Sequence, residues 1–195
     1  MTMNLFHKAC REAANLEGAP HLSLNVSPLM LHDDQLAQKL LRIMEEHSFA
    51  PQRLEIELTE AALVTDIAAA RAILMALREH GVRIALDNFG TGHASLTQLR
   101  LLPFDKLKID RSFVRRITTD TEAAALVRAA IAMARSLGLV VVAEGVENAD
   151  QARMLAGMGC DMAQGFHFGR AKASVEQRAV KIDPAVEAPA EVAVG

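Results

Sequence analysis

Two hydrophobic periods alternate along the chain. Short apolar or every-second-residue runs occur at LSLNV (22–26), RLEIEL (53–58), VRIALD (82–87), DKLKID (105–110), LVVVAE (139–144) and DMAQGF (161–166). Each predicts a strand. Between them the period lengthens to that of a helix. The first helix is predicted from about Met3 to Leu16. Residues 66–80 put Ile67, Ala70, Ile73, Leu74 and Leu77 on one face and Arg71, Arg78 and Glu79 elsewhere, with Gly81 as the stop. TDTE at 119–122 has the spacing of a capping box, and the helix it opens carries Leu126, Val127, Ala130, Ile131 and Ala134 inward until Gly138 ends it. NADQ (148–151) opens another helix.

Strands alternating with helices predict an α/β protein with a mostly parallel sheet. The strand ends distinguish the architectures. Each strand closes on polar groups: Asn25, Glu57, Asp87, Lys108 with Asp110, Glu144 and Gln164. One aspartate after a strand is ordinarily a cap or a turn former. Six polar ends in succession ask for more, because capping does not use Glu, Lys or Gln. A parallel barrel gathers all C-terminal strand ends at one mouth. A doubly wound sheet draws ligand groups from fewer strands. The barrel is favoured, but a closed barrel has eight strands and about 250 residues. The expectation is an incomplete TIM-like (β/α) barrel with about six of eight strands.

Composition narrows the functions. The chain has 195 residues, 51% of them hydrophobic, and a formal net charge of −3. That suits one domain with a core and gives no basic face for a nucleic acid polymer. The domain is expected over residues 1–182. Residues 183–195, rich in Pro and Ala, read as a disordered tail. No run of about 18 apolar residues predicts a membrane span. No apolar leader is visible, and the two cysteines, Cys10 and Cys160, form no CxxC pair. A cytoplasmic location with two buried thiols is expected.

The chemistry lies at the strand ends. Glu57, Asp87 and Glu144 are expected to meet at one mouth, with amide oxygens from Asn25 and Gln164. Oxygen donors suit Mg²⁺ or Mn²⁺, and no histidine spacing suggests zinc. Clustered carboxylates repel unless a metal or Lys108 neutralises them. Such sites serve phosphate chemistry. FGTG (89–92) is not a dinucleotide loop, because Ser95 stands where the third glycine would be.

These runs carry a resemblance. LNVSP (24–28), LEIELTE (54–60), ALDNFGTGHASL (85–96), DKLKIDRSFV (105–114), VVAEGVEN (141–148) and GCDMAQGFHF (159–168) resemble, in order, the motifs of the EAL domain family. The resemblance runs to about residue 173. It implies a modified (β/α)8 barrel and phosphodiesterase chemistry that opens cyclic di-GMP to pGpG with Mg²⁺ or Mn²⁺. It implies Asn25, Glu57, Asp87, Asn88 and Glu144 as metal ligands. Lys108 would position or polarise the water or phosphate at the metal, and Gln164 would support that water. Glu60 would anchor the loop 87–96, and Glu147 would be a second acidic support. The residues binding the rest of the substrate are not specified.

Two departures shape the expected function. The 195 residues contain no Glu-Ala-Leu. By the family pattern the chain reads as N-terminally truncated, without the motif glutamate, a nearby arginine and two early strands. The family also has two aspartates before FGTG, and here the second is Asn88. An amide ligates through its oxygen but brings no negative charge. The expectation is a degenerate domain with weak or no hydrolysis, acting by nucleotide or protein binding in bacterial signalling. The alternative is an active phosphodiesterase completed by dimerisation or by a longer parent chain. Open edges at strands 22–26 and 161–166 would invite a homodimer or a protein partner.

Overall fold

The structure, a computed structural model, describes residues 3–16, 19–64, 67–90, 92, 96–169 and 180–181. The expected tail at 183–195 lies outside the described residues. The chain divides into two compact units, Met1–Asp87 with Gly92–Asp105, and Asn88–Thr91 with Lys106–Gly195.

The first unit contains α1 (Met3–Ala14), β1 (Leu22–Asn25), α2 (Leu36–Glu46), β2 (Leu54–Thr59), α3 (Ile67–Glu79), β3 (Arg83–Phe89, to Asp87 within this unit) and α4 (Leu96–Leu101). β1, β2 and β3 are parallel, with Leu24 opposite Ile56 and Ile56 opposite Ile84. Leu54, Ile56 and Leu58 of β2 are fully buried on one face. Glu55, Glu57 and Thr59 take the other, because strand side chains alternate. On α3, Ala70, Ile73, Leu74 and Leu77 are buried as the periodicity predicts, while Ile67 is half-buried. Truncating a buried leucine such as Leu74 costs about 2–5 kcal/mol. Gly81, at φ +90°, closes α3 in a conformation that a residue with a Cβ resists. Arg53 joins the end of α1 to the entry of β1: its guanidinium donates to Ala13 O at 2.7 Å and Pro20 O at 3.0 Å.

The second unit contains β4 (Lys106–Ile109), α5 (Arg111–Val114), α6 (Thr121–Ser136), β5 (Val140–Glu144), α7 (Ala149–Gly157), β6 (Met162–Gln164) and β7 (Val180–Lys181). β4, β5 and β6 are parallel, with Lys108 opposite Val142 and Val142 opposite Met162. β7 pairs antiparallel with β6, Met162 opposite Lys181. The edge expected at 161–166 is therefore paired at Met162 and Ala163. The sequence reading missed β7 because two paired residues carry no periodicity.

Two other expectations change. Asp120, not Thr119, caps α6: its Oδ1 accepts from Glu122 N at 2.9 Å and Ala123 N at 3.2 Å. Thr119 Oγ1 turns back to Arg116 O. This frame buries Ala123, Ala124, Val127, Ile131 and Ala134 and leaves Leu126 49% exposed, just off the inward stripe.

Each unit also uses one aspartate to hold strand register. Asp105 Oδ2 accepts from Ile84 N at 3.0 Å, and Asp161 Oδ2 accepts from Val141 N at 2.8 Å. Each carboxylate, just before the next strand, satisfies an amide near the start of the strand before it.

Candidate functional site

In the first unit, the expected groups share one face of the sheet. Asn25 is the last residue of β1 and lies opposite Glu57 of β2. Asp87 lies opposite Thr59, two positions beyond the Glu57–Ala85 pair. Paired residues in a parallel sheet project to the same side, so Asn25, Glu57 and Asp87 share a face. Glu57 and Asp87 are buried, 6% and 8% exposed, and Asn25 is exposed. Glu55, in register with Ser23 and Arg83, adds a buried carboxylate one layer nearer the strand starts. The sequence reading did not single it out, although LEIEL places it two residues before Glu57.

Glu60 begins the 3₁₀ turn Glu60–Val64 and is buried. Gly92 lies against its carboxylate, and a Cβ at position 92 would collide with Oε2. The backbone at Gly92 therefore lies directly against Glu60.

In the second unit, contact is direct. Glu144 Oε1 lies 2.8 Å from Lys108 Nζ and accepts from Gln164 Nε2 at 2.6 Å. Glu144 and Gln164 are register partners at the ends of β5 and β6. Lys108 reaches across from β4, where it is 6% exposed. A buried ammonium is tolerated when it is paired, and the Glu144 carboxylate supplies that partner. Asn88, the first residue of this unit, has φ +55°. Asn is among the few non-glycine residues that adopt this left-handed conformation readily.

The connection from β5 to α7 is closely held. Val146 N donates to Gln164 O at 3.0 Å, and His167 N donates to Val146 O at 3.0 Å. Gly165, at φ +155°, lies so near the Val146 backbone that no Cβ fits there. Glu147 pairs with Arg115 at 3.6 Å on the surface, and Glu147 N donates to Gln151 Oε1 at 2.7 Å. Gln151 and Arg115 were not expected at the site. The signal for Gln151 was present, since it is the third helical residue after the Asn148 cap in NADQ.

Among the described residues, no three of His, Cys, Asp and Glu are grouped to hold a metal ion. Glu57 and Asp87 belong to the first unit, and Glu144, which meets Lys108 and Gln164, belongs to the second. The donor chemistry still fits a hard divalent cation, since the Asn25, Glu57 and Asp87 side chains offer oxygens on one sheet face. Among the described residues, no helix is long and apolar enough to cross a membrane.

The family described as EAL domain matches residues 1–171. An uncharacterized signaling protein of Caulobacter vibrioides is 43% identical over 166 residues, which are 85% of this chain and 20% of its own length. The phosphodiesterase MucR of Pseudomonas aeruginosa, solved as a c-di-GMP complex, superposes with a TM-score of 0.79 at 34% identity, over 92% of this chain and 71% of that one. Klebsiella pneumoniae BlrP1, solved as a manganese/cy-diGMP complex, gives 0.81 at 29% identity, over 93% of this chain and 47% of that one. The chain spans about a fifth of the length of the first curated relatives it matches. Its fold is the α/β, incomplete TIM-like barrel expected from the strand count, with three parallel strands from each unit. The six motifs, the parallel strands that carry them and the family match over most of the sequence lead to one conclusion: the chain belongs to the EAL domain family.

Proposed function

We propose that this chain is an EAL-type module that recognises cyclic di-GMP and hydrolyses it weakly or not at all, acting in second-messenger signalling through the bound nucleotide or a protein partner. The observation that carries the reading is the Lys108–Glu144–Gln164 constellation within the family-matched residues. The domain spans residues 1–182. It works in the cytoplasm, where reducing conditions keep Cys10 and Cys160 as the free thiols they are.

Asn25, Glu57 and Asp87, with Asn88 and Glu144, are the residues that would hold Mg²⁺ or Mn²⁺. Such an ion supplies Lewis-acid charge beside a phosphodiester. Lys108 contributes positive charge toward the phosphate, with Glu144 fixing its ammonium. Gln164 orients that carboxylate through its amide. Glu60 anchors the loop 87–96, with Gly92 against its carboxylate, and Glu147 braces the β5–α7 connection through Arg115. Weak hydrolysis follows from Asn88. Replacing a charged ligand by an amide lowers the field that stabilises developing negative charge, on a scale of about 10²–10³ in rate.

The test pairs a binding and a product assay. Calorimetry with cyclic di-GMP and Ca²⁺ measures recognition, and chromatography after incubation with Mn²⁺ or Mg²⁺ measures pGpG. Glu144→Ala is the control. Binding without product supports the proposal, and absence of binding by folded protein overturns it.

A second reading is a working phosphodiesterase completed by a longer parent chain or by a second copy along the outer side of β1. The short span of the chain against its relatives favours it. Mn²⁺-dependent pGpG formation, lost in Glu144→Ala, would establish this reading. Light scattering that gives a monomer at micromolar concentration would exclude the second copy.

A further inference from the structure

We infer that Gln151 is a positioning residue for the Glu144–Gln164 end of the site. This rests on the proposed role of Lys108, Glu144 and Gln164 in nucleotide recognition. Among the described residues, the buried polar ones are Glu55, Glu57, Glu60, Asp87, Lys108 and Gln151. Gln151 is the one on an α-helix, at 2% exposure on the first turn of α7. A buried amide is costly unless its donors and acceptors are met, so its bonds say what it does.

Those bonds join two segments. Gln151 Oε1 accepts from Glu147 N at 2.7 Å, and Gln151 Nε2 donates to Arg115 O at 3.4 Å. Arg115 follows α5, which begins two residues after β4 ends. Glu147 lies three residues beyond Glu144. The intervening Val146 is bonded on both sides, to Gln164 O and to His167 N. The connection from Glu144 to α7 is thus fixed at Val146 by the β6 end and at Glu147 by Gln151. Losing the Gln151 acceptor releases the second point. The Glu144 carboxylate must meet Lys108 at 2.8 Å and Gln164 at 2.6 Å at once, so a small shift of this connection separates it from one of them.

Helix capping is the competing role for Gln151, and Asn148 separates the two. Asn148 Oδ1 accepts from Gln151 N at 3.0 Å and caps α7 by itself. The test compares Gln151→Leu, Gln151→Glu and Asn148→Ala in the full chain. Its readouts are thermal melting, the ¹⁵N resonance of the Gln164 side-chain amide and affinity for cyclic di-GMP in Ca²⁺. Q151L is expected to displace the Gln164 resonance and weaken binding about tenfold. N148A is expected to lower the melting temperature and leave both unchanged. Q151E keeps an acceptor for Glu147 N–H but has no donor for Arg115 O, so it is expected to move the resonance less than Q151L does. A Gln164 resonance unmoved in Q151L, or moved equally in N148A, overturns the inference. If Q151L does not fold, Gln151→Met decides: an unmoved resonance overturns the inference, and a displaced one with weakened binding supports it. Failure of the wild-type chain to bind cyclic di-GMP overturns the nucleotide reading alone, because the resonance is read without nucleotide.

Discussion

Lys108 and Glu144 meet at 2.8 Å although they are not register partners. Lys108 lies opposite Val142, and Glu144 stands two positions further along β5 on the same face. The pair is thus made by alternation across a parallel sheet, and both side chains are largely buried. Glu144→Gln keeps the volume and an oxygen for Gln164 while removing the charge that faces Lys108. We expect a stability loss of about 1–3 kcal/mol and weaker cyclic di-GMP binding. Thermal melting and calorimetry check this. Unchanged binding would remove Glu144 from the site.

Asn88 provides the gain-of-function test. Its φ of +55° suits Asn and Asp alike, so Asn88→Asp should change stability by less than about 0.5 kcal/mol. The added carboxylate should raise Mn²⁺-dependent pGpG formation at least about tenfold if the amide limits hydrolysis. No rise would locate the limitation elsewhere. Asn88→Val, β-branched at positive φ, should cost about 1–2 kcal/mol, seen in thermal melts.

The α6 cap gives a prediction about the fold. Asp120→Ala removes two amide acceptors and should cost about 1–2 kcal/mol. Thr119→Ala, one residue earlier, should cost less than about 0.5 kcal/mol. The reverse order in chemical denaturation would restore the cap read from TDTE.

Alkaline pH should destabilise the chain through its thiols. Burial pushes Cys10 up to about 11 and Cys160 up to about 12, against an ordinary value of 9.0. The native state therefore keeps its thiol protons where the unfolded state loses them. This contribution is fully present below pH 9 and is lost as pH rises toward 11 and 12. Melting temperature should fall with pH above 9, and the fall should be smaller in Cys160→Ala than in the wild type. A pH profile unchanged by that substitution would contradict the assignment.

Much of this molecule was legible in its residues because the relevant physics is local. The six parallel strands appear as apolar runs, since a sheet covered by helices buries them. Ala70, Ile73, Leu74 and Leu77 announce the inward face of α3 by spacing alone. The strand-end groups Asn25, Glu57, Asp87, Lys108, Glu144 and Gln164 could be named from their place after apolar residues and from the ordered EAL motifs.

What the linear chain could not state depends on partners distant in sequence. Asp120 and not Thr119 is the cap because its carboxylate reaches the Glu122 and Ala123 amides, while the Thr119 hydroxyl bonds back to Arg116 O. β7 depended on β6 for its hydrogen bonds and has no pattern of its own. Gln151 reads as an ordinary first-turn residue until Glu147 N and Arg115 O arrive at its amide. Glu144 reads as one of three equivalent carboxylates, but folding commits its Oε1 to Lys108 and Gln164, because burying the lysine requires an anionic partner. Periodicity and motif order determined the six parallel strands, the helices between them and the family. Side-chain pairing across strands, set by register and the cost of burying charge, was decided only by the tertiary structure.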